Sequence, residues 1–134
     1  MPTTLVDANV LIDVINDEEE WADWSAAMLA LCADQGPLVI NPIIYAEVSY
    51  RHETQAELDE ALPPTFVTRE DLPWDSAFLA ARACRQYRAA GGARQAPLPD
   101  FFIGAHAAVR GYQILTRDGR RYRTYFPTVR VIAP

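Results

Sequence analysis

Four carboxylates carry the chemistry this sequence can be expected to do: Asp7, Glu47, Asp100 and Asp118. Asp7 directly follows a short apolar segment, residues 3–6, and Asp118 lies two residues beyond another that ends at Thr116. In open parallel sheets, ligands bind outside the carboxyl ends of the strands, so both acids fall where a site is expected. Each also has a purely structural explanation. Aspartate is a favoured helix N-cap, and Asp118-Gly119 suits a turn. Glu47 interrupts the apolar stripe of Ile43, Ile44 and Val48, and a carboxylate facing a core is costly unless paired or bound to metal. Its available structural partner is Arg51, four residues on. Asp100 opens a strongly apolar helical segment, one turn before Gly104, which would let another backbone or a ligand approach. Placement to suit the helix dipole also accounts for Asp100, and no arginine lies within the next turn or two to pair with it.

The rest of the composition narrows the chemistry. The chain contains no lysine, which excludes P-loop nucleotide chemistry, Schiff bases and lysine general bases. His52 and His106 fall on other faces from Glu47 and Asp100 and read as ordinary surface or core histidines. An oxygen-only site selects hard cations, Mg²⁺ or Mn²⁺, over zinc. Such an ion makes hydroxide from water and holds the non-bridging oxygens of a phosphodiester, which is nuclease chemistry.

The elements that must position these acids are legible from periodicity and punctuation. Strands are expected at residues 3–7, 38–40, 65–68, 113–116 and 128–132. Helices are expected at 8–15, from Asn16-Asp17 onward with Glu18 to Glu20 in the first turn, from Asn41-Pro42, at 54–62, 74–90 and 99–110. Trp21, Trp24, Met28 and Leu31 mark one apolar helix face, and Trp74, Phe78 and Ala81 another, with Arg82, Arg85 and Arg88 on an outer ridge. Residues 91–97 form a glycine-containing loop. Strands alternating with helices imply one α/β domain over residues 1–134, a parallel sheet with helices on both faces.

The net charge is −6, but its distribution is uneven. Residues 1–75 hold 16 acids and two arginines, a balance of −14; residues 76–134 hold two acids and ten arginines, a balance of +8. An anionic partner on one face is compatible with that asymmetry, and so is neutralisation of the halves by each other. No apolar run approaches a membrane span, and the N-terminal residues have no basic n-region. Cys32 and Cys84 read as reduced, buried thiols, so a cytoplasmic protein is expected.

Four motifs in register give a resemblance: Leu5-Val6-Asp7-Ala8-Asn9-Val10-Leu11, Tyr45-Ala46-Glu47-Val48, Pro99-Asp100-Phe101-Phe102-Ile103-Gly104-Ala105-His106-Ala107 and Leu115-Thr116-Arg117-Asp118. Over nearly the whole chain it resembles the PIN-domain nucleases, in particular the VapC-type toxins of toxin–antitoxin pairs. The resemblance implies a PIN-like three-layer fold with a central parallel sheet flanked by helices. It also implies an endoribonuclease binding one or two Mg²⁺ or Mn²⁺ ions, a homodimer, and a cognate antitoxin that reaches into the active site. By position, Asp7 and Asp100 match the family's central metal ligands. Glu47 and Asp118 match the acids that complete the shell, and Asn9 and Thr116 match polar residues that orient the carboxylates. Arg117, Arg120, Arg121 and Arg123 flank Asp118 and are expected to meet RNA phosphates. The alternatives are a non-catalytic RNA-binding or regulatory protein of this fold and a metal-dependent phosphatase; the latter wants an aspartate at position 9 and a lysine.

Overall fold

A computed structural model of the protein describes residues 2–92 and 98–134. Five strands, β1 (Thr4–Val6), β2 (Leu38–Ile40), β3 (Thr68–Arg69), β4 (Gln113–Leu115) and β5 (Val131–Ile132), form one sheet in the order β3-β2-β1-β4-β5. Every neighbouring pair is parallel, with Leu5 opposite Val39 on one side and Ile114 on the other. The three central strands are buried along their whole length because both faces of the sheet are covered, and the two polar residues among them, Thr4 and Gln113, bond to each other at 2.8 Å. The helices are α1 (Ala8–Ile15), α2 (Ala22–Gln35), α3 (Pro42–Ser49), α4 (Gln55–Ala61), α5 (Trp74–Ala89), α6 (Leu98–Arg110) and α7 (Arg120–Tyr125). No described helix is long and apolar enough to cross a membrane.

Two caps set where the helices of the site begin. Asp7 accepts from the Ala8 amide at 2.8 Å and starts α1. Asn41 accepts from the Ile44 amide at 2.9 Å, and Pro42 follows at the first helical position of α3. Because each cap directly follows a central strand, α1 and α3 both leave the carboxyl edge of the sheet.

The structure corrects several expectations. Asn16 and Asp17 end α1 rather than start α2. Asp17 takes φ of 48°, and the Glu18 amide closes back onto the Asp13 carbonyl at 2.9 Å, a Schellman-type ending that leaves Glu18 to Glu20 in a turn. Helix α2 starts at Ala22 without a side-chain cap, and its buried line is Ser25, Leu29 and Cys32; Leu31 is exposed. The third strand is Thr68–Arg69, not 65–68, because the Phe66 and Val67 amides both turn back to the Pro63 carbonyl. The last strand is Val131–Ile132 rather than 128–132, and the short helix α7 precedes it. Helix α5 is inverted relative to its largest apolar residues: Ser76, Ala80, Ala83 and Cys84 are buried, while Trp74 is 92% exposed and Phe78 67%. Of the loop expected at 91–97, residues 93–97 lie outside the described residues.

The close approach at Gly104 is made by Phe126, not by a ligand. A Cβ on Gly104 would stand 2.3 Å from the Phe126 ring, which is itself buried. In an exposed helix interior, Gly→Ala would stabilise by about 1 kcal/mol. Here overpacking is expected to win, so Gly104→Ala destabilises by about 1–3 kcal/mol. Thermal denaturation checks this: a melting temperature equal to or above wild type would show that the ring is free to move.

Candidate active site

Asp7 is anchored before it does anything else. Its Oδ1 caps α1, and its Oδ2 accepts from the Thr116 hydroxyl and the Tyr122 hydroxyl, both at 2.9 Å. The Thr116 oxygen accepts in turn from Asn9 Nδ2 and the Asp118 amide, each at 3.2 Å, so its one proton is directed at Asp7. Asn9 Oδ1 accepts from the Arg117 amide at 3.1 Å, which fixes the chain just after β4 against α1. Tyr122, fully buried on α7, has no counterpart in the sequence reading. Nothing in its spacing distinguishes it from a core aromatic.

Asp7, Glu47 and Asp100 line one cleft of about 560 Å³, together with Asn9, Tyr50, Arg51 and Arg117. Glu47 projects from α3 and is half-buried; its Oε1 is buried and has no hydrogen-bond partner. Among the described residues no ion pair joins it to Arg51, the partner that sequence offered. Burial first, then repulsion from Asp7 and Asp100, raises the Glu47 carboxyl to about 7. Burial also raises Asp7 to about 6, with Asp100 adding to the rise and the Tyr122, Thr116 and Ala8 donors opposing it. The two carboxyls face the cleft with no cation paired to either among the described residues. Asp100 does have one: Arg121 of α7, at 2.8 Å, a partner distant in sequence.

Asp118 is placed differently. Its carboxylate is clamped by Arg120, through Nε at 3.1 Å and a terminal nitrogen at 3.0 Å, and that pairing holds its pKa below the usual range. It lines a neighbouring depression with Arg121, Thr124 and Tyr125 instead of the main cleft. Among the described residues its backbone, through the Thr116 hydroxyl, connects it to Asp7, and its carboxylate does not. The arginines are mostly committed as well. Arg117 pairs with buried Asp13 at 2.9 Å, Arg120 with Asp118 and Arg121 with Asp100, whereas Arg123 is exposed. His106 is buried away from the cleft between Asn41 and Glu70.

In donor chemistry the cleft fits a hard cation: oxygen donors only, one of them buried and unpartnered, and two proton-holding carboxyls with no internal counter-charge. Among the described residues, however, no three His, Cys, Asp or Glu side chains are arranged to grip an ion as they stand. Mutual repulsion and the pull of Arg121 on Asp100 explain the spread.

The comparisons agree with this geometry at the level of fold and family. Residues 4–127 match the family model described as PIN domain. The chain is a member of the PIN-domain family. Proteins of this family are typically nucleases and generally bind Mg²⁺ or Mn²⁺ through acidic residues. This PIN domain superposes on a chain of VapBC2 from Rickettsia felis, solved bound to a DNA fragment from their promoter, with a TM-score of 0.75, 16% identity and 98% of each chain covered. VapBC-1 from nontypeable Haemophilus influenzae gives 0.73 at 14% identity, covering 98% of this chain and 97% of that one. A toxin–antitoxin complex from Klebsiella pneumoniae gives 0.68 at 21%, with 98% and 97% covered. No curated protein matches in sequence.

The raised carboxyls set a pH dependence for the metal-free PIN domain. Asp7 and Glu47 in the folded state hold protons that the unfolded chain, with ordinary values of 3.8 and 4.5, releases earlier. Stability from this source is therefore full below pH 4 and is lost as pH rises through 6 and 7. For buried Asp7 the displacement corresponds to about 3 kcal/mol. Asp118, held low, titrates below this window. In EDTA the melting temperature should fall by several degrees from pH 5.5 to pH 8, and Glu47→Gln should shrink the fall. A melting temperature that rises over that range would show that the acids are not proton-loaded.

Proposed function

We propose that this PIN domain is a Mg²⁺- or Mn²⁺-dependent endoribonuclease and the toxin of a toxin–antitoxin pair. Asp7, Glu47 and Asp100 would hold the ion, and Asp118, now paired with Arg120, would have to leave that partner to join them. The observation that carries the proposal is the convergence of three carboxylates on one cleft, two of them with no cation of the protein's own among the described residues. When bound, the ion supplies an acidified water and a counter-charge for the non-bridging oxygens of a phosphodiester.

The chain's own residues prepare that chemistry. The Ala8 amide and the hydroxyls of Thr116 and Tyr122 hold Asp7 in one orientation, with Asn9 securing Thr116. Glu47 keeps an unpartnered oxygen within the cleft wall. To hold the ion, Asp100 would have to give up Arg121, whose guanidinium would then be free to make charge-assisted bonds to phosphate. Arg117 can meet phosphate only by releasing Asp13, and Arg120 only by releasing Asp118. Arg123 is already available at the surface.

Support for the toxin role comes from the fold neighbours, which include VapBC assemblies and a toxin–antitoxin complex. On this reading a cognate antitoxin places a basic residue near the carboxylates, and the working form is a homodimer. Co-expression with a neighbouring small gene should relieve growth arrest and give a co-purifying complex.

Cleavage of RNA by the purified protein should require Mn²⁺ or Mg²⁺ and stop in EDTA. Asp7→Asn and Asp100→Asn should each lower it by roughly two orders of magnitude or more, with the fold retained by circular dichroism. Asp118→Asn should lower it less, because Arg120 already neutralises that carboxylate. Near-wild-type cleavage by Asp7→Asn or Asp100→Asn rules out the assigned centre. Equal losses at Asp7 and Asp118 would move Asp118 into the shell.

A further inference from the structure

The acidic cleft has one feature that the ribonuclease reading does not use: a paired aromatic and cation at its rim. Tyr50 caps the C-terminal end of α3 in helical conformation, with its amide bonded to the Ala46 carbonyl at 3.3 Å, and Arg51 turns in behind it onto the Val48 carbonyl at 3.2 Å. Both therefore lie about one turn beyond Glu47 on its side of the helix, and both line the cleft that holds Asp7, Glu47 and Asp100.

Neither residue is explained by the fold. Tyr50 is 93% exposed, and its ring and hydroxyl have no partner among the described residues. A lone exposed aromatic would need no explanation, but this one stands at the mouth of a catalytic-type cleft beside an arginine. Arg51 is also exposed and makes no ion pair among the described residues. The other arginine lining the cleft, Arg117, is held by Asp13, and Arg121 of α7 is held by the cleft's Asp100. A polyanion approaching a cleft with a carboxylate floor needs a positive charge that is not already committed. Of the two arginines in the cleft wall, Arg51 meets that need.

We infer that Tyr50 and Arg51 form the substrate-holding rim of this site: the Tyr50 ring stacks on one unpaired base while Arg51 takes the adjacent phosphate. The inference rests on the ribonuclease reading and gives it a polarity, with the strand entering over the end of α3. Stacking tolerates any base, because every base presents a π-face, so this rim favours unpaired strands without choosing a sequence. In a duplex the bases are covered by their neighbours, and the ring has nothing to stack on.

The test is binding rather than turnover. A fluorescently labelled single-stranded oligoribonucleotide is titrated with each protein in EDTA, where no cleavage occurs. Tyr50→Ala and Tyr50→Leu should each weaken binding about tenfold, and Tyr50→Phe should stay within about twofold of wild type, since the ring and not the hydroxyl makes the contact. Against an abasic oligomer of the same length, Tyr50→Ala and wild type should bind alike. Arg51→Gln should weaken binding and reduce the magnitude of the salt slope by about 0.7, the value for one phosphate contact on a single strand. Wild-type melting temperatures would show that both variants fold. Wild-type protein that binds RNA equally well with either variant overturns this inference and leaves the ribonuclease reading standing. If the variants keep RNA affinity but lose a co-purifying protein partner, the rim is a partner surface and the inference fails. A wild type that binds no RNA overturns this inference, while cleavage of RNA by the same protein in Mn²⁺ decides the ribonuclease reading separately.

Discussion

The structure depends on how one carboxylate, Asp7, is kept buried. Three donors meet it: an amide from α1, a hydroxyl from the end of β4 and a hydroxyl from α7. These come from residues 8, 116 and 122, so a single side chain ties the first helix of the fold to its last. Burial nevertheless dominates, and the carboxyl is raised to about 6 in spite of its donors. Hydrogen bonds to the charged form lower a pKa, while desolvation and a neighbouring acid raise it. The balance at Asp7 leaves a group that is oriented as an anion but incompletely compensated as one. That combination suits a residue whose missing compensation is to come from outside the chain.

The arginines explain why the fold tolerates so many acids near one edge of the sheet. The second half of the chain carries ten of the twelve, and three of them are placed against carboxylates around the site: Arg117 on Asp13, Arg121 on Asp100 and Arg120 on Asp118. Asp13 also accepts from Ser25 at 2.8 Å, so this buried acid is both paired and hydrogen-bonded. The charge asymmetry along the sequence is thus partly neutralised in space. At the cleft itself, Asp7 and Glu47 remain without an ion pair among the described residues.

Legibility in the sequence followed how local each determinant is. The caps at Asp7 and Asn41-Pro42 and the buried central strands were readable because their signals lie within a few residues. So was the order of strands and helices, apart from the short helix α7, which has no counterpart among the expected elements. Glu47 stood out because a carboxylate in an apolar stripe is anomalous wherever it occurs. Failures arose where a neighbour distant in sequence decides the outcome. Helix α5 packs on α6, where Tyr87 meets Phe101, and buries Ser76, Ala80 and Ala83 while Trp74 and Phe78 face outward. Arg121 as the partner of Asp100, Phe126 filling the space at Gly104, and Tyr122 as a donor to Asp7 are all contacts across at least twenty residues. Asp118 shows the converse. Its motif context placed it with the other acids, but the adjacent Arg120 captures its side chain and turns it from the cleft.

The two sides of the cleft are built to different standards of rigidity, and this bears on how the site operates. Asp7 sits at the end of a fully buried central strand and is fixed by three bonds, and Thr116, which directs it, is saturated. Opposite, Asp100 is held by an arginine that is itself about one-third exposed, and Glu47 is held by nothing beyond its helix. Moving Glu47 breaks no hydrogen bond at its buried oxygen, whereas moving Asp100 breaks its charge-assisted bond to Arg121 at 2.8 Å. If an ion is bound here, Asp7 would hold it in an orientation already fixed, Glu47 would offer an oxygen that has no other partner, and Asp100 would first have to leave Arg121. The fixed orientation of Asp7 and the incomplete pairing of Glu47 thus belong to one arrangement, in which one acid sets the geometry and the others can adjust to it.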